Sequence, residues 1–69
     1  MNINDLEKES GISKETIRIY EANGLIKSKK ENNIEYYEIN DIQNLKIIIF
    51  LRNNGYSIKT IKTILELKK

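Results

Sequence analysis

Three glycines and no proline punctuate this 69-residue chain, and the glycines fall where helices would end. Gly11, Gly24 and Gly55 each follow a stretch of helical spacing. A glycine just past such a stretch closes a helix, because it accepts the left-handed backbone that side chains resist. Start signals match these stops. Asn4 with Glu7 forms a capping box, Ser13 opens a second segment, Asn40 with Gln43 a third, and Ser57 a fourth. The sequence therefore predicts four helices, at about 4–10, 13–23, 40–54 and from 57 to the end. Only Gly11-Ile12-Ser13 separates the first two, which is the spacing of a helix-turn-helix.

Residues 25–38 break the helical period. Asn32-Asn33 tolerates the positive φ of a hairpin tip, and the Ile and Tyr side chains of 34–38 suit a strand. The expectation is a two-stranded hairpin, roughly 25–28 against 34–38, leaning on the helices because an isolated hairpin is marginal. Core candidates follow the period: Leu6, Ile17, Tyr20, Ile42, Leu45, Ile48, Ile58, Ile61 and Leu65. Glu15, Arg18, Ile19 and Ala22 point outward from the second helix. Tyr36 and Tyr37 alternate across the strand, so one packs and the other faces out. Tyr37 is taken as the outward one. The run Ile47-Ile48-Ile49-Phe50-Leu51 is too broad for one small core. Either Ile49 or Phe50 forms a protein interface, or the hairpin and first helix cover the run from both sides.

Composition removes whole classes of function. Without cysteine there is no disulfide, and without histidine there is neither an ordinary zinc site nor a His-based acid–base pair. A chain this short leaves little room for a pocket. The expectation is no enzyme, no metal, no cofactor and no small-molecule ligand. No apolar run approaches the roughly 20 residues that span a bilayer, and the acidic, amphipathic N-terminus does not read as a signal peptide. A cytoplasmic protein is expected. Net charge is only +2, but it is unevenly spread. Residues 1–42 hold six basic and nine acidic side chains (−3), and residues 43–69 hold six basic and one acidic (+5). Lys27, Lys29 and Lys30 form a basic knot inside the acidic half.

These segments resemble one family. Ile3-Asn4-Asp5-Leu6, Ser10-Gly11-Ile12-Ser13, Thr16-Ile17-Arg18-Ile19-Tyr20-Glu21 and Gly24-Leu25-Ile26 are similar to the opening of MerR-family regulators. Tyr36-Tyr37, Asn40-Asp41-Ile42, Leu45, Leu51-Arg52 and Gly55-Tyr56-Ser57-Ile58 continue the likeness in order and spacing. It implies a single domain over residues 1–69 of mainly α class, a bacterial winged helix-turn-helix with four helices and a hairpin wing between helices 2 and 3. It also implies double-stranded DNA as partner, with the second helix in the major groove and the wing and last helix on flanking phosphates. Nucleoid association and self-association on DNA follow as expectations. The candidate DNA-binding residues are Lys14, Thr16, Arg18, Ile19, Lys29, Lys30, Tyr37 and Lys59.

Three departures limit the likeness. Ile19 stands where the family usually has Tyr, so it can meet a thymine methyl but not a phosphate. Asn33-Ile34-Glu35 replaces the usual Gly-Tyr-Arg of the wing tip, placing an anion near the DNA backbone. The family's dimerisation helix and effector domain have no counterpart in these 69 residues, so metal, drug or redox sensing is not carried over. Three readings follow: a small regulator or excisionase-like architectural factor, the DNA-binding part of a longer sensor, or an interaction module that kept the fold and lost DNA binding.

Overall fold

The computed structural model describes residues 1–67 as four helices and a two-stranded wing. α1 spans Ile3–Ser10, α2 Lys14–Ala22, β1 Lys29–Glu31, β2 Ile34–Tyr36, α3 Ile39–Asn53 and α4 Ile58–Leu67. The mainly helical winged architecture expected from the sequence is the one observed. The expected run of the last helix to the chain end falls, at positions 68 and 69, outside the described residues.

Two helix starts differ from expectation, each by a shift of two residues. α1 is capped by Asn2, whose side-chain oxygen accepts from the Asp5 N–H at 2.8 Å, while Asp5 accepts from the Asn2 N–H at 3.2 Å. The box at Asn4 and Glu7 does not form. At α3 the N-cap is Glu38, not Asn40, and its N–H donates to the buried Asp41 carboxylate at 2.8 Å. Ser13 caps α2 as expected. Gly11 takes φ +73° at the end of α1, and its N–H bonds back to the Glu7 carbonyl, as a left-handed C-cap should.

The wing is shorter and further along the chain than expected. Lys29 pairs with Tyr36, Lys30 with Glu35 and Glu31 with Ile34. Asn32 (φ 52°) and Asn33 (φ 66°) alone make the turn. Two consecutive positive φ values fit a type I′ connection, whose twist matches the flanking strands. Leu25 and Ile26, expected in the first strand, are instead buried plugs beneath the helices.

One core joins every helix to the root of the wing. Leu6 of α1, Ile17 and Tyr20 of α2, Leu45 and Ile48 of α3 and Ile61 of α4 are buried together with Leu25, Ile26 and Tyr37. Tyr37 is 1% exposed, which corrects its expected outward orientation. The polypeptide ends β2 at Tyr36, so Tyr37 no longer follows the wing's alternation. Its backbone pairs instead with Met1: the Tyr37 N–H donates to the Met1 carbonyl, and the N-terminal ammonium donates to the Tyr37 carbonyl at 2.8 Å. In the apolar run of α3, Ile48 is buried and Ile49 packs partly against the core, while Phe50 is 65% exposed.

Candidate nucleic-acid interface

α2 is fixed from inside and bare outside. Ile17 and Tyr20 sink into the core three residues apart, so the opposite face must carry Arg18 and Ile19 to solvent. Ile19 is 54% exposed with no fold-level reason for an apolar residue there.

The N-terminus of α2 is already satisfied by protein groups. Ser13 Oγ accepts from the Thr16 N–H at 3.3 Å and donates to Thr16 Oγ1 at 3.0 Å. Glu7, released from any capping role in α1, accepts from the Lys14 N–H at 2.8 Å. The Lys14 ammonium reaches Asn4 Oδ1 at 2.8 Å. Lys14 and Thr16 therefore offer side chains at the surface, but their backbone donors are engaged by Glu7 of α1 and by Ser13. Neither N–H is free to take a phosphate, as open helix N-termini do.

Arg18 lies at the centre of a polar network that links α2 to the wing. Its Nη2 meets Glu35 Oε1 at 2.9 Å and its Nη1 meets Glu21 Oε2 at 3.2 Å. The same Nη1 donates to the Tyr37 hydroxyl at 3.3 Å. Tyr37 in turn donates to Glu21, and Ser28 Oγ donates to Glu35 Oε2 at 2.9 Å. Hydrogen bonding from Arg18 holds the Glu35 carboxyl below its ordinary range, with Ser28 adding to the effect. Burial, reinforced by the Glu21 carboxylate, pushes the Tyr37 phenol above its ordinary value. Glu15 and Glu21 both stand three residues from Arg18 in the sequence, and the structure pairs Arg18 with Glu21. The contribution of Glu35 was not legible in the sequence, because it crosses from a different element.

The remaining expected residues are placed unequally. Lys29 forms an ion pair with Glu38 at 2.8 Å, which raises its pKa chiefly through that hydrogen bond. Lys30 is exposed on the face of the wing that also carries Glu35. Lys27 to Lys30 line an open groove along the first strand. Lys59 is exposed in the first turn of α4, where Ser57 Oγ caps the Thr60 N–H at 3.1 Å. Among the described residues, the ammonium groups of Lys27, Lys30 and Lys59 pair with no carboxylate. Tyr37 belongs to the network behind this surface and not to the surface itself. Tyr56, 43% exposed one turn before Lys59, is a surface aromatic that helical periodicity could not flag because it lies in the turn.

Comparison with known proteins gives this geometry a context. The family described as MerR HTH family regulatory protein matches residues 1–68. The chain is 38% identical over 69 residues to the heavy metal-dependent transcription regulator 2 of Rhizobium meliloti, covering 97% of this chain and 47% of that protein. It is 39% identical over 69 residues to the HTH-type transcriptional regulator HmrR of Sinorhizobium medicae, with the same coverage. It is 39% identical over 70 residues to the ZntR homolog of Haemophilus influenzae, covering 99% of this chain and 52% of that one. The chain thus spans about half the length of the curated relatives it matches. No solved structure matches. With a near full-length family match and a wing inserted where such a domain requires one, the chain belongs to the MerR HTH family of regulatory proteins.

Proposed function

We propose that this chain binds duplex DNA sequence-specifically as the reading domain of a transcription regulator. α2 enters the major groove, and the wing and the start of α4 lie on flanking phosphates. The observation that carries this reading is the outer face of α2, where Arg18 and Ile19 stand exposed over a helix anchored by Ile17 and Tyr20. Ile19 supplies an apolar contact for a thymine methyl, Arg18 a guanidinium for phosphate or guanine. Lys14, Thr16, Lys30 and Lys59 supply phosphate contacts, and Lys29 does so once it leaves Glu38. Relatives of this chain are transcription regulators, and we extend that non-enzymatic role to it. No helix among the described residues is long and apolar enough to cross a membrane, and a bacterial cytoplasmic, nucleoid-associated site of action fits the reading.

A salt titration of binding to duplex DNA tests it. Log K should fall linearly with log salt, with a slope of about −0.9 for each phosphate neutralised. Absence of salt-dependent binding to any duplex would sink the DNA role. One observation favours the competing interaction-module reading: Arg18 is occupied by two carboxylates. The same titration decides between the two.

A further inference from the structure

The wing carries an anion where a DNA-binding surface wants a cation, and that anion is aimed at the arginine of α2. One guanidinium, Arg18, lies between two carboxylates, Glu21 and Glu35. The trio has a net charge of −1, so an approaching phosphate meets repulsion until a carboxylate withdraws.

The two carboxylates are not equivalent. Glu21 sits on the same helix as Arg18, its side chain is 17% exposed, and it accepts from the buried Tyr37 hydroxyl. Moving it would cost that hydroxyl its close acceptor and leave only the longer contact to Glu35 Oε1 at 3.4 Å. The Glu35 side chain is 31% exposed, it lies on a separate element, and its other oxygen is held by Ser28. Lys30 stands directly across the ladder from it. If Glu35 lets go of Arg18, its carboxylate keeps a donor and has a cation opposite. Glu35 is therefore the partner that can leave.

We propose that Glu35 acts as a phosphate mimic held in the chain, occupying Arg18 until a DNA phosphate displaces it, and so sets how readily this domain binds DNA. This inference rests on the DNA-binding reading above. Its energetics are within reach. The Arg18 side chain is 48% exposed, so its pair with Glu35 is solvent-screened and weak. A DNA phosphodiester offers the guanidinium fork two anionic oxygens with the same single charge as a carboxylate, and it wins the guanidinium when the rest of the interface holds it nearby. A binding group free for only a fraction of the time lowers apparent affinity by that fraction. A pair of this strength leaves Arg18 free of Glu35 about a sixth to two fifths of the time, so removing Glu35 should tighten binding about two- to sixfold.

The test is a double-mutant cycle on a pool of random-sequence 20-base-pair duplexes, a probe that reads phosphate contacts without needing the natural site. Glu35→Gln keeps the shape and the Ser28 hydrogen bond while removing the charge, and Glu35→Ala replaces it should the first variant lose its helical circular dichroism. Each is compared with the parent chain, alone and combined with Arg18→Ala. The proposal requires about a two- to sixfold gain in the parent background and a gain below about 1.3-fold in the Arg18→Ala background. An equal gain in both backgrounds would mean a general loss of negative charge and overturn the proposal. Weaker binding by both Glu35 variants would mean that Glu35 props the wing in a binding-competent position, and would overturn it too. Failure of every variant to bind at low salt has a separate signature and overturns the DNA-binding reading itself.

Discussion

At the scale of single residues, Tyr37 is the most consequential side chain outside the helices. It is buried, its backbone pairs with Met1, and its hydroxyl connects Glu21 and Arg18. Tyr37→Phe should cost about 1–2 kcal/mol of stability, the usual loss when a buried hydrogen-bonded group is left without its partner. Urea denaturation measures it. The phenol also makes stability depend on alkaline pH. Its folded pKa lies above its unfolded one, so the fold binds that proton more tightly. The resulting stabilisation is whole below about pH 10, the ordinary phenol value, and is lost as pH rises toward the folded value. Tyr37→Phe should flatten this part of the stability curve, and an unchanged alkaline slope would contradict the assignment. Glu35 works in the opposite direction. Its folded pKa is depressed, so its contribution is present above the ordinary glutamate range and lost as pH falls through the lower folded value. The sequence showed that one tyrosine of the pair packs but not which one, because the decision depends on where β2 ends. The displaced caps have a similar cause. Asn2 with Asp5 and Asn4 with Glu7 are competing boxes two residues apart, as are Glu38 with Asp41 and Asn40 with Gln43. Local pattern cannot rank them. Tertiary structure does so, by anchoring Met1 to Tyr37, burying Asp41, and engaging Glu7 with the Lys14 N–H.

At the scale of elements, α2 and the wing make contrasting demands on sequence. The start of α2 depends on Ser13, and Ser13→Ala should destabilise the domain by about 1 kcal/mol through loss of the cap. Thermal denaturation would show it as a lowered midpoint. The wing depends on Asn32-Asn33, which were legible as a turn because asparagine tolerates the left-handed region better than most residues. Asn33→Gly should hold or raise stability, and Asn33→Val should lower it by about 1–2 kcal/mol. Amide exchange across residues 29–36 would localise the loss to the wing. The position of the strands was less legible. Leu25 and Ile26 have the composition of strand residues, but the demand for core filling outweighs that local preference.

For the whole molecule, nine buried apolar side chains among the described residues, drawn from all four helices and the wing root, make a single core. A domain of this size has about 3–10 kcal/mol of total stability. Leu6→Ala or Ile61→Ala should each remove roughly 2–5 kcal/mol, enough to leave a large unfolded fraction at room temperature by circular dichroism. Helix number, order and inward faces were readable because 3.6-residue spacing is a local property. The Arg18–Glu35 contact was not, because it depends on how the wing folds back over α2. The exposed Phe50 also belongs to this scale. We propose that it supports self-association, and Phe50→Ser should then lower the sedimentation-derived mass at high concentration without changing the helical signal. An unchanged mass would remove that role.

The two-residue turn also fixes the arithmetic by which this wing can vary. Tyr37 and the buried Leu25-Ile26 pair hold both strands at their roots, so a change in length can be absorbed only at the tip. Adding two residues lengthens the ladder by one pair, reaching about 3.3 Å further, and leaves Glu35 facing Arg18. Adding one residue breaks the parity and must be accommodated as a bulge. Related wings that share this root should therefore differ in length by even numbers, with odd steps marked by a local kink.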